Sequence, residues 1–464
     1  MMYIIEDESI GQKIYQIYSG TSFDDKELIN TVKIRTATID KNGFTYLMIY
    51  DEYMKPYSDA FDYLNYRLLN NNGEVPSVNS RMKDMQALKF LFSFEKIIGK
   101  KLKDFTFDDI GMLKAFLRGD SIKGNYLTFE LNTFRGHETV NGYLATYRTF
   151  LSYIGQTNDA LTRTRSVNTV THIADVSLPT TAERHITNEK VNREEEVPDY
   201  IRPDEFMSVI EYIRKYRTLR DEIIVSLMYL NGLRLGECLG LTSDDLQYIK
   251  DEDDGEWYPT IIIRNRVSDK KDQNAKGCMS ITNKNQYRSR RYATENDGWQ
   301  RIIVSTDLFG KIYSYLENEH QTIMEKKYDN YMKYNIADRV DDNDYETEFN
   351  FYLFINSQGR PLSKDSWNDG MRKIFNNCNL TIDKRVRKHN LNHRFRHGFA
   401  MFCVKYKNAS RLQLKALLRH KSVSSVEKYF KETTSDKIKI KKEYTDALME
   451  MFPNLKGEWN NDQN

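Results

Sequence analysis

The 464 residues contain no apolar run long enough to span a bilayer. The opening MMYIIEDESIGQ carries acids where a secretory leader needs bases, so neither insertion nor export is expected and the cytoplasm is the expected compartment. Cysteine is scarce. Cys238, Cys278, Cys378 and Cys403 stand far apart, with no CxxC and no Cys/His ligand spacing. This argues against a disulfide framework or a zinc cluster and leaves free thiols, two of them (Cys238 and Cys403) inside apolar helical patterns. HExxH, EF-hand and GxxxxGK patterns are all missing, so no metal and no nucleotide cofactor is expected. The acids at 251–256 and 338–348 lack ligand spacing and read as solvated loops.

Net charge is nearly missing too: 69 Lys and Arg against 67 Asp and Glu leave +2. Spread evenly, that balance would argue against a polyanionic partner. The charge is instead segregated, with Lys and Arg crowded into 381–442. Within it, His393–Phe430 (HRFRHGFAMFCVKYKNASRLQLKALLRHKSVSSVEKYF) has Glu427 as its one acid. A helical surface so cationic needs a polyanion, and nucleic acid is the commonest.

Along the chain, Thr31–Ile39 and Phe44–Tyr50 read as strands joined by an Asp40–Gly43 turn, and 56–70 as a short helix, in a lead-in spanning 1–75. Three amphipathic helices follow within 76–156. Ser80 is expected to cap the stripe Met85, Leu88, Leu91, Phe92. Thr106 caps Ile110, Leu113, Phe116 and Leu117, and a third helix runs from about Glu138. Their arginines Arg135 and Arg148 are candidate phosphate contacts, with plain surface arginines as the alternative. Residues 157–200, polar and without period, read as a linker. A larger domain, 201–452, opens at Pro203 and carries a strand at 258–267 paired with 301–305, with a long basic hairpin region between. An acidic insertion lies at about 328–348 and a tail at 453–464. The pattern is mainly α with a small antiparallel β-sheet.

Three motifs then stand in order: Gly232-Leu-Arg-Leu-Gly-Glu237, His393-Arg-Phe-Arg396-His397, and Leu418-Arg-His420 with Tyr429 nine residues on. Together with FINSQGRPLS upstream, they resemble the signature of tyrosine recombinases, the phage integrases and transposon recombinases, most of all the transposon type. The resemblance covers roughly 75–450. It implies a helical, SAM-like core-binding domain joined to a mixed α/β catalytic domain, acting on double-stranded DNA at the bacterial nucleoid. It also implies a homotetramer on paired sites, with an accessory DNA-bending or directionality protein as a further partner. The expected activity is site-specific strand cleavage and rejoining through a 3′-phosphotyrosine, without metal or ATP. The alternatives are a type IB topoisomerase-like enzyme and a non-catalytic DNA-binding relative of the fold.

The chemistry follows from the side chains. Tyr429 is the expected nucleophile, because a phenolate can attack phosphorus and later leave. Ser424 and Glu427 form an S-x-x-E box expected to start a helix just before it. Arg234 and Arg396 are the expected phosphate clamps, each presenting a planar, permanently charged fork. Glu237 supports Arg234. His393, three residues before Arg396, is expected to take the phenolic proton or touch the phosphate, and His420 to donate to a non-bridging oxygen. His397 and His389 read as structural, His389 with phosphate contact as a second option. The resemblance implies a general-acid lysine on a β-hairpin turn, best matched by Lys284, with Lys276 or Lys271 in reserve. The stripe Ile440, Tyr444, Leu448, Met451 either folds back on its own domain or, as the resemblance implies, docks on a neighbouring protomer.

Overall fold

The structure is a computed structural model, and it describes residues 2–9, 11–21, 25–41, 44–68, 75–120, 127–173, 176–191, 197–269, 272–335, 351–382 and 391–451. His389, Lys271 and most of the acidic insertion lie outside the described residues. The chain divides into two units. One comprises Met1–Arg193 with Arg266–Lys271 and Ser280–Gln286; the other comprises Glu194–Asn265, Asp272–Met279 and Tyr287–Asn464.

In the first unit the order is β1 (Met2–Ser9), β2 (Gln12–Ser19), β3 (Glu27–Val32), β4 (Arg35–Lys41), β5 (Phe44–Tyr50), α1 (Ser58–Tyr66), α2 (Val78–Ile98), α3 (Phe107–Arg118), β6 (Leu127–Glu130), α4 (His137–Tyr153), α5 (Asp159–Thr162), β7 (Thr164–Ile173) and β8 (Val176–His185). The β4–β5 hairpin forms about the expected turn and the helices fall where the periodicity placed them, but the strand expected over Thr31–Ile39 is split, Thr31 and Val32 ending β3 and β4 starting at Arg35. Ser77, not Ser80, caps α2: its hydroxyl accepts from the Ser80 amide. Thr106 and Asp109 close a reciprocal capping box on α3. That helix ends at Gly119 with φ +84°, where a Cβ would fall 1.9 Å from the Thr133 carbonyl oxygen.

The lead-in residues Ile4, Tyr15 and Leu47 share one core with Leu88, Phe94, Phe116 and Tyr147 of the helices. Two expectations need correction here. The main sheet, ordered β3-β2-β1-β6, is mixed rather than purely antiparallel, since β6 runs parallel to β1. The segment read as a linker contains the β7–β8 hairpin, paired from Thr164↔His185 to Ile173↔Val176. Its described side chains are mostly exposed, so it carries no apolar alternation for a sequence reading to find.

The second unit runs α6 (Pro203–Tyr216), α7 (Leu219–Leu230), α8 (Leu235–Leu239), β9 (Leu246–Lys250), β10 (Trp257–Arg264), α9 (Arg290–Ala293), β11 (Trp299–Ile303), α10 (Thr306–Tyr315), α11 (Gln321–Asn335), α12 (Lys364–Asn377), α13 (His393–Lys407), α14 (Arg411–Leu417) and α15 (Thr434–Met451). Strand β10 pairs antiparallel with β11, as expected, and also with β9. The main core joins Ile223, Leu227 and Met228 of α7 to Phe354, Phe375 and Phe395. Burial of each such side chain is worth about 1.5–3 kcal/mol. A smaller cluster of Ala400, Met401, Cys403, Leu414, Leu418 and Val426 encloses Tyr429. Gly398 lets α13 pack closely: a Cβ there would stand 2.4 Å from the Ile201 carbonyl oxygen and 2.6 Å from the Tyr229 ring.

Candidate active site

The site forms where three local devices meet in the second unit. The first is the turn Asn231-Gly232 between α7 and α8. Gly232 takes φ +61°, and a Cβ on it would press to 2.6 Å from Phe399, so glycine is required twice over. The turn sets Arg234 at the N-cap of α8. There the Glu237 side chain accepts the Arg234 backbone N–H at 2.9 Å and its Nη1 at 2.6 Å.

The second device is α13. Asn392, its N-cap, is pinned by the Trp367 indole N–H at 2.7 Å. The spacing of His393, Arg396 and His397 then puts all three on one helical face, and the two imidazoles stack with centroids 5.9 Å apart. Arg396, 2 % exposed, donates from Nη1 to the Gly232 carbonyl and from Nη2 to the Leu418 carbonyl.

The third device is the chain after α14, a helix started by the Ser410/Gln413 capping box. Arg419 turns with φ +55°, a left-handed conformation that costs a non-glycine residue about 1 kcal/mol. His420 follows, its Nδ1 buried and without a hydrogen-bond partner. Tyr429 sits in the 3-10 turn Glu427–Phe430 and is 2 % exposed. The expected Ser424/Glu427 box is not formed. Ser422 caps the preceding turn, and Glu427 is held by Arg411 at 3.1 Å.

Arg234 and Arg396 pair with Glu237, and the charges of the two arginines act on His393, His420 and Tyr429, so these five residues share one charged neighbourhood. Two residues acquire contacts that the sequence reading did not assign. The Tyr429 hydroxyl bonds His397 Nδ1 at 2.7 Å, although His397 had been read as structural. Arg419 reaches Glu237 Oε2 at 3.1 Å. Its one sequence signal was its place inside the Leu418–His420 motif.

Electrostatics follow from burial. Burial pushes the Glu237 carboxyl up, but Arg419, Arg234 and Arg396 together hold it below the usual carboxylate range. Burial, reinforced by the neighbouring cations, pulls His393 down to about 4, His420 to about 3 and His397 to about 2. All three imidazoles are neutral near pH 7, so His397 Nδ1 can accept the phenolic proton's hydrogen bond. Burial raises Tyr429 to about 12 against the opposing pull of Arg396 and Arg234, and burial lowers Arg396 to about 9. The phenol is thus neutral at rest and needs a proton acceptor to attack.

The remaining candidates are placed elsewhere. Lys284 opens a single 3-10 turn, Lys284–Arg288, instead of standing on a β-turn, and its segment groups with the first unit. Lys276 is exposed in a tight turn whose amide bonds the Asn274 carbonyl. Arg135 donates to the Leu117 carbonyl at 2.9 Å and lies 3.9 Å over the Phe90 ring. Arg148 ties α4 to the Leu161 carbonyl at 2.9 Å and to Asn188 at 2.7 Å. Both arginines, candidate phosphate contacts, make these bonds within their own unit.

No family model matches the sequence. Transposase A from transposon Tn554 of Staphylococcus aureus is 23% identical over 220 residues, 46% of this chain and 58% of that protein. The XerH site-specific recombinase, bound to palindromic difH substrate in a post-cleavage complex, matches with 15% identity and a TM-score of 0.46. The match covers 79% of this chain and 80% of that one. The Tn1549 transposon integrase in complex with circular intermediate DNA matches with 12% identity and a TM-score of 0.42, over 84% of this chain and 98% of that one. The chain is similar to site-specific recombinases and to a transposase. It spans little more than half the length of the transposases it matches. Among the described residues no helix is long and apolar enough to cross a membrane, and no group of His, Cys, Asp and Glu could hold a metal ion.

Proposed function

We propose that this chain is a tyrosine-type site-specific DNA recombinase that cleaves and rejoins DNA through a 3′-phosphotyrosine. The observation that carries this reading is that Arg234 and Arg396 share the buried Glu237 carboxylate while their charges act on Tyr429, whose hydroxyl bonds His397. The similarity to a transposase agrees with it.

In the proposed step the Tyr429 oxygen attacks the scissile phosphorus, the new O–P bond forms and the bond to the 5′-oxygen breaks. The phenolic proton passes to His393, the least depressed of the three imidazoles, while His397 orients the hydroxyl in the resting geometry. Arg234 and Arg396 neutralise the charge on the phosphorane, and His420 donates to a non-bridging oxygen. The departing 5′-oxygen takes a proton from a lysine, Lys284 being the candidate, and reversal of the step religates the strand. A phosphotyrosine keeps the bond energy, so no ATP is required. Assembly as a tetramer on two duplexes is part of the proposal. The α15 helix, held at its start by the Lys405–Asp436 pair at 2.9 Å, carries exposed Ile438, Ile440 and Tyr444 suited to docking on a neighbour.

The test uses nicked duplexes tiled across the DNA that flanks the gene. Cleavage next to a nick releases a short fragment and strands the protein on the DNA. Wild type should form a denaturant-resistant adduct in EDTA, at one sequence, and Tyr429→Phe should form none. Equal trapping by the variant excludes Tyr429. Adducts at arbitrary sequence, with relaxation of any supercoiled plasmid, favour a topoisomerase. No adduct from any duplex leaves a non-catalytic DNA-binding protein.

A further inference from the structure

Arg419 has no part in the step above, and its geometry is unusual. It holds a left-handed backbone, φ +55°, that glycine would adopt without strain. Its side chain is nevertheless 9 % exposed, and both terminal nitrogens are engaged: Nη2 donates to Glu237 Oε2 at 3.1 Å and to the Gly232 carbonyl at 3.3 Å, and Nη1 to the Asn231 and Leu417 carbonyls at 3.3 Å, while the buried Nε has no hydrogen-bond partner. Gly232 O is the same acceptor that Arg396 uses, and Glu237 is the same carboxylate that Arg234 uses. Arg419 therefore touches both anchors of the two proposed phosphate clamps. The backbone would be unstrained as glycine, yet the guanidinium bridges these two anchors with its charge and its fork.

The charges make the role concrete. Arg234, Arg396 and Arg419 against Glu237 leave a net +2 on the cluster (three cations minus one anion). Without Arg419 the buried carboxylate draws on Arg234 and Arg396 alone, and the cluster falls to +1. We infer that Arg419 is a positioning residue: it neutralises Glu237 and braces the Gly232 turn, so that Arg234 and Arg396 face a phosphate with both charges in hand. The inference rests on the reading of Arg234 and Arg396 as phosphate clamps.

The test is a charge cycle in the full-length protein. Arg419→Gly keeps the backbone geometry allowed and removes the guanidinium. Two readouts follow: the rate of adduct formation on the nicked duplex that wild type cleaves, and the affinity for inorganic phosphate, measured by its effect on the melting temperature against chloride of equal ionic strength. Arg419→Gly should weaken phosphate binding and slow cleavage roughly 10- to 100-fold, the effect of one charge over several ångströms at an effective dielectric of about 20. Arg419→Gly with Glu237→Gln restores +2 and should recover most of that loss. A purely structural Arg419 would let the melting temperature recover in the double variant, because no unpaired buried charge is left, but would leave phosphate affinity and cleavage rate unrestored. A double variant as weak as the product of the two single losses, or an Arg419→Gly protein that binds phosphate like wild type, overturns the inference. If wild type forms no adduct but the phosphate cycle runs as expected, the recombinase reading fails and the positioning role stands.

Discussion

Glu237→Gln is the sharpest probe of how the site is held. The Glu237 side chain has no exposed surface, and it accepts from the Arg234 amide and from the guanidiniums of Arg234 at 2.6 Å and Arg419 at 3.1 Å, with Arg396 at 3.9 Å. Glutamine keeps the volume and one acceptor oxygen but removes the charge that Arg234, Arg396 and Arg419 share. Breaking a buried ion pair from one side costs about 3–5 kcal/mol, and the near-isosteric change belongs at about 3. For a unit of this size that is a fall in Tm of roughly 6–12 °C. The pH dependence gives a second signature. The folded carboxyl lies below its ordinary 4.5, so its stabilisation is complete above that value and is lost as pH falls through the folded pKa. The gap between wild type and variant, read by circular dichroism melts, should therefore be widest near pH 7 and close in acid. Asp369→Asn, which breaks only the exposed Arg372 pair, serves as the control and should cost no more than about 1 kcal/mol. A Glu237→Gln melt within 2–3 °C (~1 kcal/mol) of wild type, or a gap that persists in acid, would refute the reasoning.

Other outcomes follow from the same geometry. Tyr429→Phe should abolish adduct formation while costing only about 1 kcal/mol of stability, since it removes one hydrogen bond from a buried ring; a larger loss in a melt would mean the hydroxyl is chiefly structural. Arg234→Lys should slow cleavage about 100- to 1000-fold with little change in Tm. Arg396→Lys should add a loss of stability, because the fork that ties the Gly232 and Leu418 carbonyls together is lost and Gly232 keeps only its longer bond from Arg419; equal melts for the two variants would contradict that difference. Gly398→Ala, far from the chemistry, should destabilise the second unit by about 1–3 kcal/mol through its contact with Ile201 and Tyr229, and an unchanged Tm would show that α13 can shift. In proton NMR, none of His393, His397 and His420 should titrate between pH 5 and 8. The unfolded chain binds more protons there than these buried imidazoles do, so stability should fall as pH drops below 6.5 and level off once the folded values near 4, 3 and 2 are passed.

Much of this protein is written locally. The periodicity of Met85, Leu88, Leu91 and Phe92, the Thr106 cap and the Gly119 stop determine α2 and α3 through interactions within a few residues. The i, i+3 and i+4 spacing of His393, Arg396 and His397 likewise determines one face of α13. Tertiary structure alone decided the rest. That β6 completes a sheet with β1, that the lead-in shares a core with the helices, and that Arg419 closes on Glu237 all depend on residues far apart in sequence. Local spacing carries no record of such pairings. So too with the phenol: the sequence names Tyr429, but which imidazole holds its hydroxyl depends on how α13 packs against the turn that follows α14. Side-chain periodicity acts over one helical turn, whereas the site is assembled by long-range burial, which determines which charges must share one carboxylate.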